Sequence, residues 1–400
     1  MYEKSRRWVT QHWVLGCLTA ISFIFFALLY MYRLGSFVRG DSAYETIQFL
    51  QINGIDNIWR HIALGPIKLA ELVMVKIDQP NSTLLRIVSF ISVMVGIYIF
   101  YRLISKWHSS LVAILATILL VTSSYSLHLG RFTTQDAMYY SVVPLLILIG
   151  TWLKSKRYVK RLRIALPIIA VLVFIPGVLV FIPVLFIVFK KRLLLAWTFI
   201  NYREKVVSIA VAFVIIAPII FSLILYPSQI TEFLGFDRIS NEGISGFLHH
   251  LFAIPNELFY HGPSDAYRWL AGTPILDIGS IVLLALGIYA YFRGTRTLRA
   301  RLLLILAGVC ALIIGSSSVT TIALFLPLVY IVIANGISYL LQMWYTIFPR
   351  NPAAQNTAIV IVCLFVALIS TYHIERYFVA WPNDPATRQS LSQSVEEVLQ

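Results

Sequence analysis

Charged residues are scarce in this chain of 400 residues: 12% are Asp, Glu, Lys or Arg, whereas 59% are hydrophobic. A soluble domain carries roughly 25% charged residues, about twice this share. Apolar runs such as 14–32 and 206–226 are about as long as the hydrocarbon core of a bilayer requires. The composition therefore argues against a soluble domain and predicts an all-α polytopic membrane protein.

Cysteine is also scarce, and several common motifs are missing. Cys17, Cys310 and Cys363 each lie in an apolar run, without the spacing of a disulfide framework or a metal site. The sequence has no Walker loop, no Gly-x-Gly-x-x-Gly fingerprint and no Ser/His/Asp elbow motif, so nucleotide binding is not expected. No internal repeat or low-complexity tract stands out.

The apolar runs predict about eleven transmembrane helices, preceded by a basic N-terminal segment typical of a signal anchor. The predicted spans are residues 13–32, 84–104, 110–127, 137–153, 164–176, 178–189, 206–226, 276–292, 302–315, 319–340 and 357–372. Pro176-Gly177 separates the fifth span from the sixth, so two short spans and a re-entrant hairpin both fit there.

The distribution of charge gives these spans a direction. If the basic loops lie inside, nearly all acidic residues lie outside, as the positive-inside rule requires. The net charge of +14 then indicates topology and contact with membrane lipids that carry negative headgroups. Nucleic acid is not an expected partner, because the basic residues are scattered over separate short loops.

This topology places the N-terminus in the cytoplasm and defines the domains. Residues 1–372 form the membrane domain, and residues 373–400 form an extracytoplasmic tail. Two long loops, 33–83 and 227–275, lie on the outer face. Apolar residues between Phe49 and Trp59 predict a helix at the membrane interface within the first loop.

Two carboxylates, Asp41 and Glu45, follow the first span directly in the segment Arg39-Gly-Asp-Ser-Ala-Tyr-Glu45. Ionisable groups beside hydrocarbon are expensive to keep, so such residues are candidates for a functional site. Asp41 could act as a general base, bind a cation or cap a helix that begins at Ser42. Glu45 is one turn further and faces roughly the same side.

A third carboxylate, Asp136, lies at the outer end of the predicted fourth span, five residues after Arg131. The two residues could form an ion pair that closes a tight turn. Alternatively, Asp136 is a second acidic ligand opposite Asp41, and Arg131 holds a phosphate group through both arms of its guanidinium.

Basic and aromatic residues in the two long loops are further candidates. His61, with Arg60 and Lys68, makes the first loop locally cationic and suited to an anionic headgroup, although a lone histidine is more often structural. In the second long loop, His249 stands beside His250 with carboxylates nearby, a set that could bind zinc but lacks a tight ligand spacing. Arg268 suits a phosphate or a sugar.

These segments carry a likeness to a known family. Asp41-Ser-Ala-Tyr-Glu45 resembles the Asp-Glu-type motif of the GT-C superfamily of membrane glycosyltransferases, in the branch of protein O-mannosyltransferases and lipid A aminoarabinose transferases. His61–Pro66, Gln135–Tyr139, Gly272–Asp277 and Leu326-Pro327 are similar to later segments of that branch. The chain departs from the pattern at Ser42, at His-Ile-Ala in place of His-Pro-Pro, and after Ala137, where the family has arginine.

The resemblance implies a GT-C-like fold and inverting transfer of a sugar from a polyprenyl-phosphate donor to a hydroxyl of a glycan, lipid or protein, on the extracytoplasmic face. It implies that Asp41 is the general base and that Asp136 orients the acceptor or shares a divalent cation with Asp41. The implied substrate contacts are Tyr44, Glu45, His61, Lys68, Arg131 and Arg268. A metal is left open, with Asp41, Asp136 and His249 as candidate ligands.

Two other classes of function remain open from the sequence. A transporter or flippase of lipid-linked sugars also needs a cationic groove open to lipid, but transporters more often have ionisable groups at mid-membrane and repeated halves. An O-antigen polymerase or ligase shares the many spans and a long outer loop, with catalytic Arg and His in that loop. An inactive scaffold with the same fold is also compatible with Ser42.

Overall fold

The computed structural model describes residues 23–32, 55–77, 82–152, 162–263, 266, 269–270, 272–293, 297–318 and 320–392. Four candidate site residues, Asp41, Tyr44, Glu45 and Arg268, lie outside the described residues, as do residues 33–54 and 78–81 of the first long loop. The described part of the chain is helical and contains no strand, which confirms the all-α class.

Most of the described residues belong to eighteen α-helices, numbered here in chain order. They are α1 (residues 23–31), α2 (Ile55–Arg60), α3 (Gly65–Ile77), α4 (Ser82–Trp107), α5 (Ser110–Thr122), α6 (Ser124–Arg131), α7 (Tyr139–Trp152), α8 (Leu162–Leu172), α9 (Val178–Thr198), α10 (Tyr202–Leu225), α11 (Ile230–Leu234), α12 (Asp237–Phe259), α13 (Ile278–Arg293), α14 (Leu298–Ser316), α15 (Leu326–Ile347), α16 (Pro352–Glu375), α17 (Trp381–Asn383) and α18 (Pro385–Ser392). A short 3-10 helix, Gln135–Met138, leads into α7.

Five helices in the described residues are long and apolar enough to cross a membrane. They cover Leu84–Trp107, Tyr202–Leu225, Leu298–Ser316, Ile322–Ile347 and Pro352–Asn383. The bent pair α5 and α6 makes a sixth candidate, and α13 is a shorter apolar helix. The protein is therefore an integral, multi-pass membrane protein with helices in contact with lipid. The predicted count of eleven spans stays a prediction.

The predicted third span, 110–127, is interrupted at Ser123. This residue ends α5 and begins α6, and its hydroxyl oxygen accepts a hydrogen bond from the backbone N–H of Ser126 at 3.3 Å. The two helices meet at an angle of 63°. A serine cap inside an apolar run satisfies the backbone groups that the bend exposes, so the run does not continue as one helix.

A second interruption lies at Pro176-Gly177, where the sequence predicts a break. Helix α8 ends at Leu172 and α9 begins at Val178, which confirms the position of the break. Gly177 has a φ of +76°, and a Cβ atom added there would lie 2.4 Å from the side chain of Ile313. The turn therefore requires glycine, both for its backbone conformation and for its close packing on α14.

Polar contacts define the two ends of the helical bundle. At one end, called here the Asp136 end, the Ser89 hydroxyl of α4 bonds the backbone of Thr134, and Arg131 bonds the last turn of α1. At the other, called the Trp107 end, Arg299 of α14 donates to the Trp107 carbonyl at the end of α4. The site described below lies at the Asp136 end.

The helical structure continues past residue 372, the predicted boundary of the membrane domain, which stays a prediction. Helix α16 runs through Glu375, continues as a π-helical turn over Arg376–Ala380 and reaches Asn383. His373, Tyr377 and Trp381 are buried. These side chains pack into the Asp136 end of the bundle, so the first part of the segment predicted as a polar tail, 373–400, is helical and packs against the other helices.

Candidate functional site

The short 3-10 helix Gln135–Met138 fixes the position of Asp136. The Thr134 hydroxyl oxygen accepts from the backbone N–H of Asp136 at 3.3 Å and begins this helix. The Ser89 hydroxyl accepts from the Thr134 N–H at 3.0 Å and donates to its carbonyl at 3.1 Å. Asp136 is half-buried and rigidly held, and it lies just before α7 as the sequence predicts.

Glu71 on α3 is a carboxyl group that the sequence analysis missed. Its side chain is 0% exposed. One oxygen, Oε2, accepts from the Gln135 side-chain amide at 3.5 Å, while Oε1 has no hydrogen-bond partner among the described residues. Burial raises the pKa of Glu71 to about 7, against smaller lowering effects of Gln135 and Lys68. A carboxyl that titrates near neutral pH is a candidate for proton chemistry.

Lys68 lies one turn before Glu71 and faces the same side of α3. Its ammonium group donates to the His61 carbonyl at 2.9 Å. Burial lowers the pKa of Lys68, and the nearby charges of Glu232 and Glu71 partly oppose this shift. The structure therefore places Lys68 among carboxyl groups. His61 is exposed and contributes its backbone to this contact.

A further buried carboxyl group, Asp237, stands at the start of α12. Its Oδ2 accepts from the backbone N–H of Ser318 at 3.0 Å and from the Ser318 hydroxyl, while its Oδ1 is buried with no hydrogen-bond partner among the described residues. Asp136, Asp237 and Glu232 all lie close enough to Tyr139 to interact with it electrostatically. Lys68, Glu71, Asp136, Glu232 and Asp237 thus form one group, called here the acid cluster.

Arg131, a predicted phosphate ligand, forms hydrogen bonds with backbone carbonyls of a neighbouring segment. Its guanidinium donates to the carbonyls of Leu29, Tyr30 and Tyr32 at 3.1, 2.6 and 2.6 Å. It also lies over the ring of Phe378, 4.7 Å from the centroid. Carbonyls at a helix C-terminus lack partners inside the helix, so Arg131 satisfies the end of α1. The phosphate role stays a prediction, and these bonds compete with it.

His249 lies on α12, and its ring meets that of His250 at a centroid distance of 5.1 Å. His250 in turn stands 3.9 Å from the carboxylate of Glu242. Across the ranges that the structure describes, no three His, Cys, Asp or Glu side chains are grouped to hold a metal ion. The candidate ligands Asp136 and His249 are therefore not part of such a group within those ranges, and Asp41 lies outside them.

A second polar constellation joins three helices at the same end. The Ser124 hydroxyl lies 2.9 Å from Nδ1 of His373, and Nε2 of His373 lies 3.0 Å from Asp277 Oδ1. The other oxygen of Asp277 accepts from the backbone N–H groups of Gly279 and Ser280. This order of Ser, His and Asp suits nucleophilic chemistry in open sites.

The surroundings of this constellation favour a structural role. Ser124 is 2% exposed and His373 is 0% exposed. The cavity beside them holds about 10 Å³, which is space for about one water molecule. The three side chains therefore form a buried hydrogen-bonded contact, called here the buried joint, that links α6, α13 and α16. Nothing in the sequence signals it, since 249 positions separate Ser124 from His373 and 96 separate Asp277 from His373.

An apolar cavity of about 490 Å³ lies between α12, α13, α14 and α15. Its lining includes Leu258, Leu284, Leu304 and Val332, together with Arg301. This volume falls within the range of roughly 300–1,000 Å³ that is usual for ligand sites. With an almost entirely apolar lining, the cavity suits a hydrocarbon chain.

Comparison with known proteins finds no relative. No protein-family model, no curated protein and no solved structure matches the chain. The likeness to the GT-C superfamily consequently rests on the motifs in the sequence itself.

Proposed function

We propose that this protein is a membrane glycosyltransferase that moves a sugar from a polyprenyl-phosphate donor to an acceptor hydroxyl at the Asp136 end of the bundle. The observation that carries the proposal is the acid cluster at one end of a membrane protein, in which Lys68 interacts electrostatically with Glu71 and Glu232. Asp136 follows Gln135, whose amide donates to Glu71. The proposal places this end on the extracytoplasmic side, because the basic loops then face the cytoplasm.

Sugar transfer needs a base for the acceptor and a cation for the leaving phosphate. The acceptor hydroxyl must lose a proton to a base, and carboxylates near the reacting oxygen can supply one. The phosphate that leaves with the lipid develops negative charge, which a cation such as Lys68 stabilises. A fixed Asp136 suits the orientation of the acceptor. Asp41, with Tyr44 and Glu45 beside it, is the proposed base, and Arg131 and Arg268 remain proposed phosphate contacts.

A lipid-linked donor also needs an apolar surface for its chain. The cavity of about 490 Å³ between α12 and α15 provides such a surface within the membrane domain. We propose that the hydrocarbon chain of the donor lies there. The chemistry then takes place where the lipid phosphate reaches the polar end of the protein.

The test is to incubate the purified protein with a panel of polyprenyl-phospho-sugars and to measure released polyprenyl phosphate. We expect release with at least one donor, loss of release in Asp41→Asn, and normal release in the exposed control Glu375→Gln. Release that persists in Asp41→Asn would contradict the assignment of the base. Movement of intact donor across liposomes without release would favour a flippase and contradict the enzyme.

A further inference from the structure

The carboxyl group of Glu71 lacks a full set of hydrogen-bond partners among the described residues. The side chain is fully buried, yet one of its two oxygens has no hydrogen-bond partner among the described residues, and the other has a single long contact with Gln135. Buried polar atoms are nearly always hydrogen-bonded in native proteins, and an exception points to a strained group or to a missing partner. Glu71 lies in the acid cluster, where a substrate is expected.

We propose that Glu71 is a substrate-contact residue whose Oε1 binds a hydroxyl group of a sugar. The inference rests on the proposed function and deepens it, since it names a group that recognises the polyol part of the substrate. Gln135 holds Oε2 and leaves Oε1 for the ligand. The Ser89–Thr134 contacts keep Gln135 in place, so the carboxyl group is positioned before any ligand arrives.

The chemistry of Glu71 selects the class of ligand. Its pKa of about 7 means that the group is populated both as an acid and as a carboxylate at neutral pH. The acid form donates one hydrogen bond, whereas the carboxylate only accepts. A hydroxyl group can donate and accept, so it can form the missing hydrogen bond with Oε1 whether Glu71 is protonated or ionised.

Ions fit this position less well. The phosphodiester of the donor only accepts hydrogen bonds, and the negative charge of any phosphate group would repel the ionised form of Glu71. A divalent cation would meet the ammonium group of Lys68, which lies one turn away and interacts electrostatically with Glu71. Within the described residues, Glu71 also belongs to no group of three metal-type ligands. A neutral polyol avoids both conflicts.

Infrared difference spectroscopy on the wild-type protein in lipid nanodiscs tests the inference. The carboxyl band of Glu71 is identified as the band that disappears in Glu71→Gln and persists in Glu257→Gln, a half-buried glutamate on α12. The probes are a panel of methyl glycosides, inorganic phosphate and Mg²⁺. We expect at least one glycoside to shift the Glu71 band; Mg²⁺ should not shift it, and phosphate should act only through its charge at Lys68. The inference is overturned if only phosphate or Mg²⁺ shifts the band, or if none of the probes shifts it.

Binding of the active glycoside provides a second readout. Glu71→Ala should weaken it about tenfold or more, as loss of a hydrogen bond to an ionisable group does, while Glu71→Gln should retain most of the affinity because an amide can also donate and accept. Equal affinity in wild type and Glu71→Ala would contradict the contact. If a glycoside binds at Glu71 but the protein transfers no sugar, the proposed function is wrong and the Glu71 contact is supported. If the protein transfers sugar but no glycoside shifts the Glu71 band, the Glu71 contact is wrong and the proposed function is supported.

Discussion

The buried carboxyl group of Glu71 makes the stability of the protein depend on pH in a defined direction. Burial raises its pKa from the ordinary value of 4.5 to about 7 in the folded protein. Below pH 4.5 the group is protonated in both the folded and the unfolded chain. As the pH rises towards 7, the unfolded chain ionises first, so the folded protein loses stability relative to it, and above pH 7 the loss stays constant.

The substitution Glu71→Gln removes this titration while it keeps the size and a polar amide. Each pKa unit corresponds to 1.36 kcal/mol, so a shift of this size contributes a total of about 3 kcal/mol. Most of it falls between pH 5 and pH 8. We therefore expect the free energy of unfolding of Glu71→Gln, relative to wild type, to increase by about 2–3 kcal/mol from pH 5 to pH 8.

The assay is reversible unfolding in mixed micelles of mild detergent and dodecyl sulfate, followed by circular dichroism at both pH values. Glu375→Gln is the matched control, because Glu375 is exposed on α16. It should follow the wild-type pH dependence. A difference between Glu71→Gln and wild type that stays constant from pH 5 to pH 8 would refute the argument that burial penalises the charged form of Glu71.

Three further substitutions test the fold by the same unfolding assay. Gly177→Ala should destabilise the protein by more than about 1 kcal/mol, because φ is positive and Ile313 is close, whereas Gly308→Ala, with open space at its Cβ, should be neutral or stabilising. His373→Ala should destabilise it by about 2–3 kcal/mol through loss of the joint with Asp277, while the exposed Thr371→Ala should change little. Arg131→Lys should destabilise it by about 2 kcal/mol, because an ammonium group cannot reach three carbonyls as the guanidinium fork does. Equal unfolding free energies within any of these comparisons would contradict the corresponding contact.

Hydropathy alone predicts the helical class and the membrane location, because apolar runs of bilayer length have few other stable forms. The break at Pro176-Gly177 is likewise visible, since proline and glycine interrupt helices for local reasons. The bend at Ser123 is less visible. It depends on a serine that caps two helices at once, and a single serine in an apolar run gives no strong signal.

Some residues of the candidate site can be recognised from the local sequence, whereas others are recognised only from contacts between distant segments. Asp136 attracts attention because it is a carboxylate at the end of an apolar segment, and Lys68 because it adds to the basic residues of the first long loop. Glu71 stands in the apolar sequence of α3, where a lone carboxylate three residues after Lys68 is the only signal. Its burial and its meeting with Gln135 arise from packing of α3 against α4 and the 3-10 helix, which the sequence of α3 does not contain.

Arg131 illustrates a different difficulty. Its position beside Asp136 suggests a phosphate ligand, but its guanidinium reaches α1, about 100 residues earlier in the chain. Similarly, His373 seems to begin a polar tail, whereas it is buried between Ser124 and Asp277. In both cases, contacts between distant segments decide the role of the side chain.

The central claim is that the Asp136 end of this membrane protein transfers sugar from a polyprenyl-phosphate donor with Asp41 as the base. The most direct measurement is the initial rate of polyprenyl phosphate release by wild type and Asp41→Asn, with the donor panel and equal amounts of folded protein. We expect release by wild type and a rate lower by about 100-fold or more in Asp41→Asn. Equal rates in the two proteins, or no release by wild type from any donor, would contradict it.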